Sequence, residues 1–275
     1  MKKLISLMMV LTFAALAMVS CVKPDVKTPP ELPPYESMAI DFSDFTNEKM
    51  AGDINYAEEG LWSNYQWAAL NAGVFNLLLT ANLLVPVASF GTALHQEPEF
   101  IGDATWQWRF NVDGFSSAYS ARLTGQVLGE TVEWKMYITK SGVGAFDEFM
   151  WYSGTSQLDG SSGQWLLNHS AQFPEPLLQI DWVRDGDEMG EVKYTVVREL
   201  TDNRTINEGY GSYIEAGKTA AALNAYYNIY LAENERYVDI AWSTTNFNGH
   251  VSDFTYFGDD AWHCWDSLGV DMVCQ

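Results

Sequence analysis

The chain has 275 residues, 47% of them apolar and 14% aromatic, with 15 basic against 36 acidic side chains and a formal charge of −21. So much aromatic mass excludes an intrinsically disordered chain. A polyanion of this size repels nucleic acid and anionic lipid surfaces; the charge reads first as a solvated exterior, and secondly as affinity for cations or basic partners.

Lys2 and Lys3 precede an uncharged run of 16 residues from Leu4 to Val19. That run is short for a bilayer span, which takes about 20 apolar residues. A basic start, a short apolar stretch and a small residue at the cut, here Ser20, describe a secretory signal. The stretch closes on Met18-Val19-Ser20-Cys21. Here the chain resembles bacterial lipoproteins, whose signal ends at a Cys that is lipidated and becomes the mature N-terminus. The resemblance covers residues 1–21, and Met18 stands where that family usually has Leu. It implies a signal peptide over 1–20, a palmitate-type lipid on Cys21, a membrane partner reached through that anchor, and a place in the cell envelope as an outer-membrane lipoprotein facing the periplasm or the surface.

Without Lys2 and Lys3, 13 basic residues face 36 acidic ones, a charge of −23. Residues 21–36 then hold Pro24, Pro29, Pro30, Pro33 and Pro34. Proline at this density makes an extended spacer of about 3.1 Å per residue, so residues 21–36 read as a lipidated Cys with a tether. Only Asp25 is acidic there, and no sorting signal to the outside of the cell is visible. Residues 37–275, about 240 in number, suffice for one β-rich domain.

Residues 37–61 read as a strand or two with loops. The nearly uncharged segment 62–94 follows. Ser63 and Asn64 are helix-capping residues, and Pro86 is expected to break the helix. The expectation is an apolar helix over about 64–84 and a short second helix from about 86 to 94. Apolar residues on nearly all faces imply a buried helix.

From about residue 104 the period becomes two. "TWQWRFNV" alternates Trp106, Trp108, Phe110 and Val112 with polar residues. "TVEWKMYIT", "LLQIDWVR", "EVKYTVV", "AYYNIYLAE" and "RYVDIAWSTT" continue this pattern, which means strands with one dry face. Turn signals such as "LDGSSGQ", "RDGDEMG" and "NFNGH" separate them. The predicted fold is mainly β: an antiparallel meander of about ten strands forming a curved sheet or barrel, with the N-terminal helix buried against its apolar face. At fold level this resembles periplasmic lipid-carrying lipoproteins in which a half-barrel is closed by helices. An outer-membrane barrel would share the alternation, but the lipobox and tether argue against it.

The sequence offers little chemistry. It has no G-x-S-x-G, phosphate loop or H-E-x-x-H, and no cofactor motif. His95, His169, His250 and His263 lack ligand spacing. The carboxylates Asp147, Glu148, Asp185, Asp187, Glu188, Asp259 and Asp260 lie in or beside turns, while Glu133, Asp181 and Asp239 sit on the polar phase of their strands. No catalytic, cofactor-binding or metal residue is assigned, and the expectation is a protein that is not an enzyme. Cys264 and Cys274 are expected to form a disulfide in an oxidising compartment. "NHS" and "NRT" match the N-glycan acceptor pattern by chance in such a lipoprotein, and "DSL" around Ser267 resembles a short O-glycan acceptor of some Gram-negative anaerobes. Trp106, Trp108, Trp134 and Trp182 share the dry phase and read as core. Tyr137, Tyr226, Tyr230, Trp262 and Trp265 are the residues expected to contact a ligand. The functional expectation is an exported, membrane-anchored, non-catalytic envelope protein that binds an apolar ligand such as a lipid or acts as a scaffold. The alternative is a surface module that binds a glycan.

Overall fold

A computed structural model describes residues 28–40, 45, 63–113 and 117–274. The signal segment, Cys21 and the first part of the proline-rich spacer lie outside these residues, as does most of the stretch 37–61 expected to hold a strand.

The helix α1 runs from Asn64 to Ala93. Ser63 caps it: its hydroxyl accepts from the Gln66 amide at 3.3 Å while Gln66 Oε1 accepts from the Ser63 amide at 3.1 Å. The expected break at Pro86 does not occur, and a single helix replaces the predicted pair. A proline inside a helix costs about 3 kcal/mol. Burial offsets that cost, because Pro86 belongs to the stripe Tyr65, Ala68, Ala72, Phe75, Leu79, Leu83, Pro86, Phe90 and Ala93, spaced three or four apart and buried except for the partly buried Leu79. Ser89 also donates to the Pro86 carbonyl at 2.8 Å. Nor is the helix enclosed on all sides: Leu70, Val74 and Leu84 face outward, Leu84 with 55% exposure. Among the described residues no helix is long and apolar enough to cross a membrane.

Among the described residues fourteen strands follow: β1 (Glu99–Gly102), β2 (Thr105–Val112), β3 (Tyr119–Leu128), β4 (Thr131–Lys140), β5 (Phe146–Gln157), β6 (Ser162–Asn168), β7 (Pro176–Asp185), β8 (Glu188–Val196), β9 (Tyr213–Lys218), β10 (Ala225–Leu231), β11 (Arg236–Trp242), β12 (Gly249–Ser252), β13 (His263–Trp265) and β14 (Asp271–Met272). Each pairs antiparallel with the next in one open sheet. The meander is therefore as predicted, as a sheet rather than a closed barrel. Most connections are short, the one from β8 to β9 (residues 197–212) being the longest, and consecutive strands pair. Helix α1 packs on β2 near one end of the sheet and on β12 and β13 near the other, so the sheet curls around the helix. A one-turn helix α2 (Phe254–Phe257) joins β12 to β13.

The inner face carries the alternation read from the sequence: Val132, Trp134, Met136 and Ile138 of β4 and Leu178, Ile180 and Trp182 of β7 are buried. Phe90 meets Trp165 at 5.3 Å between ring centroids, and Phe45 meets Trp242 at 4.9 Å. The described end of the spacer joins this core. Pro30 and Pro33 are buried, Leu32 packs on the core, and the Trp165 indole donates to Ser37 Oγ at 3.1 Å. Residues of the predicted tether, from Pro30 onward, thus pack against the domain core.

Inner-face tryptophans lie flat over glycines directly across the ladder: Trp134 over Gly125, Trp165 over Gly154, Trp182 over Gly163 and Trp265 over Gly249. A side chain at any of these glycines would occupy the space of the ring. Cys264 and Cys274 form the expected disulfide, Cα to Cα 5.3 Å, which fastens β14 to β13. The same end receives α1, since the Asn64 amide donates to Asp271 Oδ1 at 2.8 Å.

Candidate functional site

Strand pairing aligns the outer face of β8–β12 into three rows across the sheet. The first is Thr195, Tyr213, Tyr230 and Tyr237; the second is Lys193, Glu215, Asn228, Asp239 and Ser252; the third is Glu191, Gly217, Tyr226, Ala241 and His250. Rows lie two residues apart along each strand, about 6.7 Å. The first row holds three tyrosines, the third holds Tyr226 and His250 among Glu191, Gly217 and Ala241, and the middle one is polar; the outer rows, about 13 Å apart, flank the middle one as the rims of a trough.

In the first rim the tyrosines lean on one another, Tyr213 to Tyr230 at 5.6 Å and Tyr230 to Tyr237 at 4.7 Å. The Lys193 ammonium covers the far side of Tyr213 at 3.9 Å. Tyr237, at 57% exposure, ends the row. In the opposite rim the Tyr226 ring lies on Gly217, where a Cβ would strike the phenol. Its hydroxyl donates to Glu191 Oε2 at 2.9 Å, and burial, then Glu191, push its pKa up. Trp262, 44% exposed, stacks on His250 at 3.8 Å. Burial lowers the His250 pKa and favours the neutral ring.

On the floor Glu215 is engaged by Lys193 at 3.2 Å and by Asn228 at 3.4 Å. Asp239 is not: among the described residues nothing donates to its half-buried carboxylate, and burial raises its pKa. Its acceptors, with the hydroxyl of Ser252, face solvent between two aromatic rims. A sugar presents apolar C–H faces that suit aromatic rings and hydroxyl donors that suit a carboxylate.

Two of the five residues predicted to contact ligand, Tyr226 and Tyr230, fall in the trough, and Trp262 forms its wall. Two do not. Trp265 is 1% exposed and sits in the core, its indole donating to the Phe247 carbonyl at 2.9 Å. The alternation of the short β13 turns Trp265 inward, which corrects the expectation of an exposed contact. Tyr137 is on the outer face but far from the trough, and the Arg122 guanidinium covers its ring at 4.1 Å. Tyr213 and Tyr237 were missed; "SYIEAG" and "RYVDIAW" place them in phase with Glu215 and Asp239, which was the available signal.

Two of the turn carboxylates are engaged by a charged or titratable partner. Glu148 pairs with Arg122 and Asp259 with His263, and these partners hold both carboxyls below the usual range. Asp181 accepts from Gln164 and Gln179 at 2.6 and 2.8 Å. Glu148 and Asp259 are thus kept ionised, the opposite of what a general acid needs. Among the described residues no group of three or more His, Cys, Asp or Glu side chains is placed to hold a metal.

On the inner side, a groove of about 330 Å³ runs beside α1, lined by Tyr35, Ile40, Leu79, Leu83, Leu84 and Val87 among others. A depression of about 370 Å³ at the ends of β8–β10 shares Gly217 and Tyr226 with the trough and adds Arg184, Asp187 and Lys218. Compared with family models, curated proteins and solved structures, the chain matches none.

Proposed function

We propose that this chain is a lipid-anchored envelope protein that binds neutral glycans, without catalysis, in the trough on β8–β12. The observation that carries the reading is the half-buried Asp239 carboxylate, which has no donor among the described residues and lies in the polar row between the two rims. A half-buried charge without a partner costs stability, and ligand hydroxyls are the donors it lacks. The anionic floor disfavours acidic sugars here and leaves neutral ones.

The test is a titration of the purified domain with a panel of neutral polysaccharides, followed through tryptophan emission. Asp239→Asn removes a charge-assisted hydrogen bond worth about 1.5–3 kcal/mol and is expected to weaken binding roughly tenfold or more. Tyr237→Ala removes one stacking face, about 0.5–1.5 kcal/mol. The sign of the stability change separates a site from a structural residue. The folded pKa of Asp239 lies above its unfolded value, so the ionised form opposes folding at every pH above the folded pKa. At pH 7 Asp239→Asn is therefore expected to be no less stable than wild type. A variant that unfolds at lower temperature yet binds normally would sink the reading.

The anchor belongs to the same proposal. Met18-Val19-Ser20-Cys21 and the prolines behind it support lipidation at Cys21. Because Pro30 and Pro33 join the core, residues 22–29 are what separates Cys21 from it, a stretch that would span about 25 Å if extended. Palmitate labelling is expected for the wild type and not for Cys21→Ser; label retained in that variant would place the lipid elsewhere.

A second reading keeps the apolar ligand. The inner groove is apolar and, at about 330 Å³, near the lower end of ligand-site volumes. Native mass spectrometry of the purified protein would reveal a co-purifying acyl chain.

A further inference from the structure

Arg109 of β2 and Arg122 of β3 stand directly opposite each other on the outer face. Like charges in this position repel, and a chain with 15 basic residues among 275 has little need to place two of them together. One carboxylate serves the pair. Glu148 accepts from Arg122 Nε at 3.1 Å and from Arg122 Nη2, while Arg109 Nε is spent on Gln107 Oε1 at 2.5 Å. Both Nη groups of Arg109 and Nη1 of Arg122 have no acceptor among the described residues. The next row toward the end of these strands is Asn111 opposite Ser120, whose side chains likewise have no partner there. Together they line a shallow depression of about 320 Å³ with Glu148 at one side.

We infer that this depression is a binding site for a small oxyanion, a sulfate or carboxylate group. Arg109 supplies a planar pair of N–H donors, Arg122 a further one, and Asn111 and Ser120 neutral donors beside them. Guanidinium groups match such oxyanions two bonds at a time. The bound anion also relieves the repulsion between the two arginines, a relief to which Glu148 contributes by hydrogen bonds with Arg122 and only at longer range with Arg109. Gln107 and Tyr137 hold the two guanidinium groups from behind, Tyr137 with its ring 4.1 Å from Arg122, so the donors are oriented before the anion arrives.

The site is independent of the trough. β3 lies six strands from β9, about 29 Å along the sheet at about 4.8 Å a strand. The chemistry also differs, since the trough floor is anionic and takes neutral groups. A free inorganic anion and the acid group of a saccharide would use the same donors, and the experiment separates them.

Arg side-chain Nε–H resonances of the domain are followed while sodium sulfate, inorganic phosphate, galacturonate or galactose is added, with sodium chloride at matched ionic strength as the reference. Saturable shifts at Arg109 and Arg122 are expected with sulfate and with galacturonate and not with galactose. Saturation by galacturonate at lower concentration than by sulfate or phosphate assigns the site to an acidic saccharide; the reverse order assigns it to a free inorganic anion. Arg109→Gln, on an exposed side chain, is expected to weaken binding about tenfold or more. Arg204→Gln, at a separate exposed ion pair, is expected to change nothing. Shifts no larger than those caused by chloride, or saturable binding that survives Arg109→Gln, would overturn the inference. Both outcomes leave the galactose-type ligands of the trough untouched, so the two readings fail separately.

Discussion

Asp253→Ala is expected to lower the unfolding free energy by about 3–5 kcal/mol, the usual loss when one member of a buried ion pair is deleted. Asp253 is 1% exposed and its carboxylate gathers three parts of the chain. It accepts from the Trp67 indole of α1 at 2.9 Å, from Arg236 Nε of β11 at 3.0 Å and from Arg236 Nη2 at 2.5 Å. It also caps α2, accepting from the amides of Thr255 and Tyr256 at 3.1 and 3.3 Å. Alanine leaves the Arg236 guanidinium, largely buried, with Asn71 Oδ1 at 3.1 Å as its remaining acceptor. It also frees the Trp67 indole N–H and two turn amides.

The loss is expected as a fall in the urea midpoint without change in slope, followed through tryptophan emission. Trp67 lies between Arg236, 5.0 Å from its ring, and Tyr256, stacked at 3.7 Å, so its signal reports the junction itself. Asp253→Asn keeps the cap through its one oxygen but loses the acceptor of Trp67 and Arg236, and is expected to fall between wild type and alanine. Asp253→Leu combined with Arg236→Met removes both charges and is expected to cost less than the two single changes together. A sum that is merely additive would mean that the pair contributes nothing beyond its separate packing.

Long elements were legible in the sequence because their periodicity repeats often enough to be counted. β4 and β7 span ten residues each, and their buried positions recur every second residue from Val132 to Ile138 and from Leu178 to Trp182. The additional strands are the short ones: β1, β12, β13 and β14 span two to four residues, too few for a period of two to register. Pro86 misled for a different reason. Its local cost is real, and the buried stripe that offsets it becomes visible only when the sheet it packs on is known. The tyrosines of the trough were half legible. "AYYNIYLAE" places Tyr226 and Tyr230 on one phase and Tyr227 on the other, and the structure agrees. What the phase could not supply is register. Tyr213, Tyr230 and Tyr237 become a row because loops of unequal length bring them opposite one another, and loop length does not announce that alignment. Trp265 shows the same limit from the other side, since three residues of β13 hold too little pattern to say which face it takes.

Register also explains the glycines, and Gly154→Ala is expected to be among the most destabilising single-methyl additions in the molecule. Gly154 pairs with Trp134 on one side and Trp165 on the other. A Cβ there would overlap the Gln164 carbonyl and the Trp165 ring. The carbonyl belongs to the β6 backbone, and moving it breaks the ladder on both sides. Overpacking a well-filled core costs about 1–3 kcal/mol when side chains alone must shift; with backbone in the way the expectation is about 3 kcal/mol or more. Gly163 and Gly249 meet the same double obstacle, Thr155 and Ala241 carbonyls beneath Trp182 and Trp265. Gly125 is the graded case: the atoms a Cβ would meet all belong to the Trp134 ring, the nearest at 2.5 Å, so Gly125→Ala is expected to cost less. Gly73 in α1 meets nothing within 4 Å, and Gly73→Ala is expected to stabilise by about 1 kcal/mol through helix propensity. The same added methyl thus carries opposite signs according to what surrounds the glycine. Chemical denaturation of Gly154, Gly163, Gly249, Gly125 and Gly73 alanine variants measures the ranking. If Gly154→Ala proved no more costly than Gly125→Ala, ring displacement alone would account for both. The flat seating of each tryptophan on its glycine would then be a preference of the ring and not a constraint imposed by the neighbouring backbone.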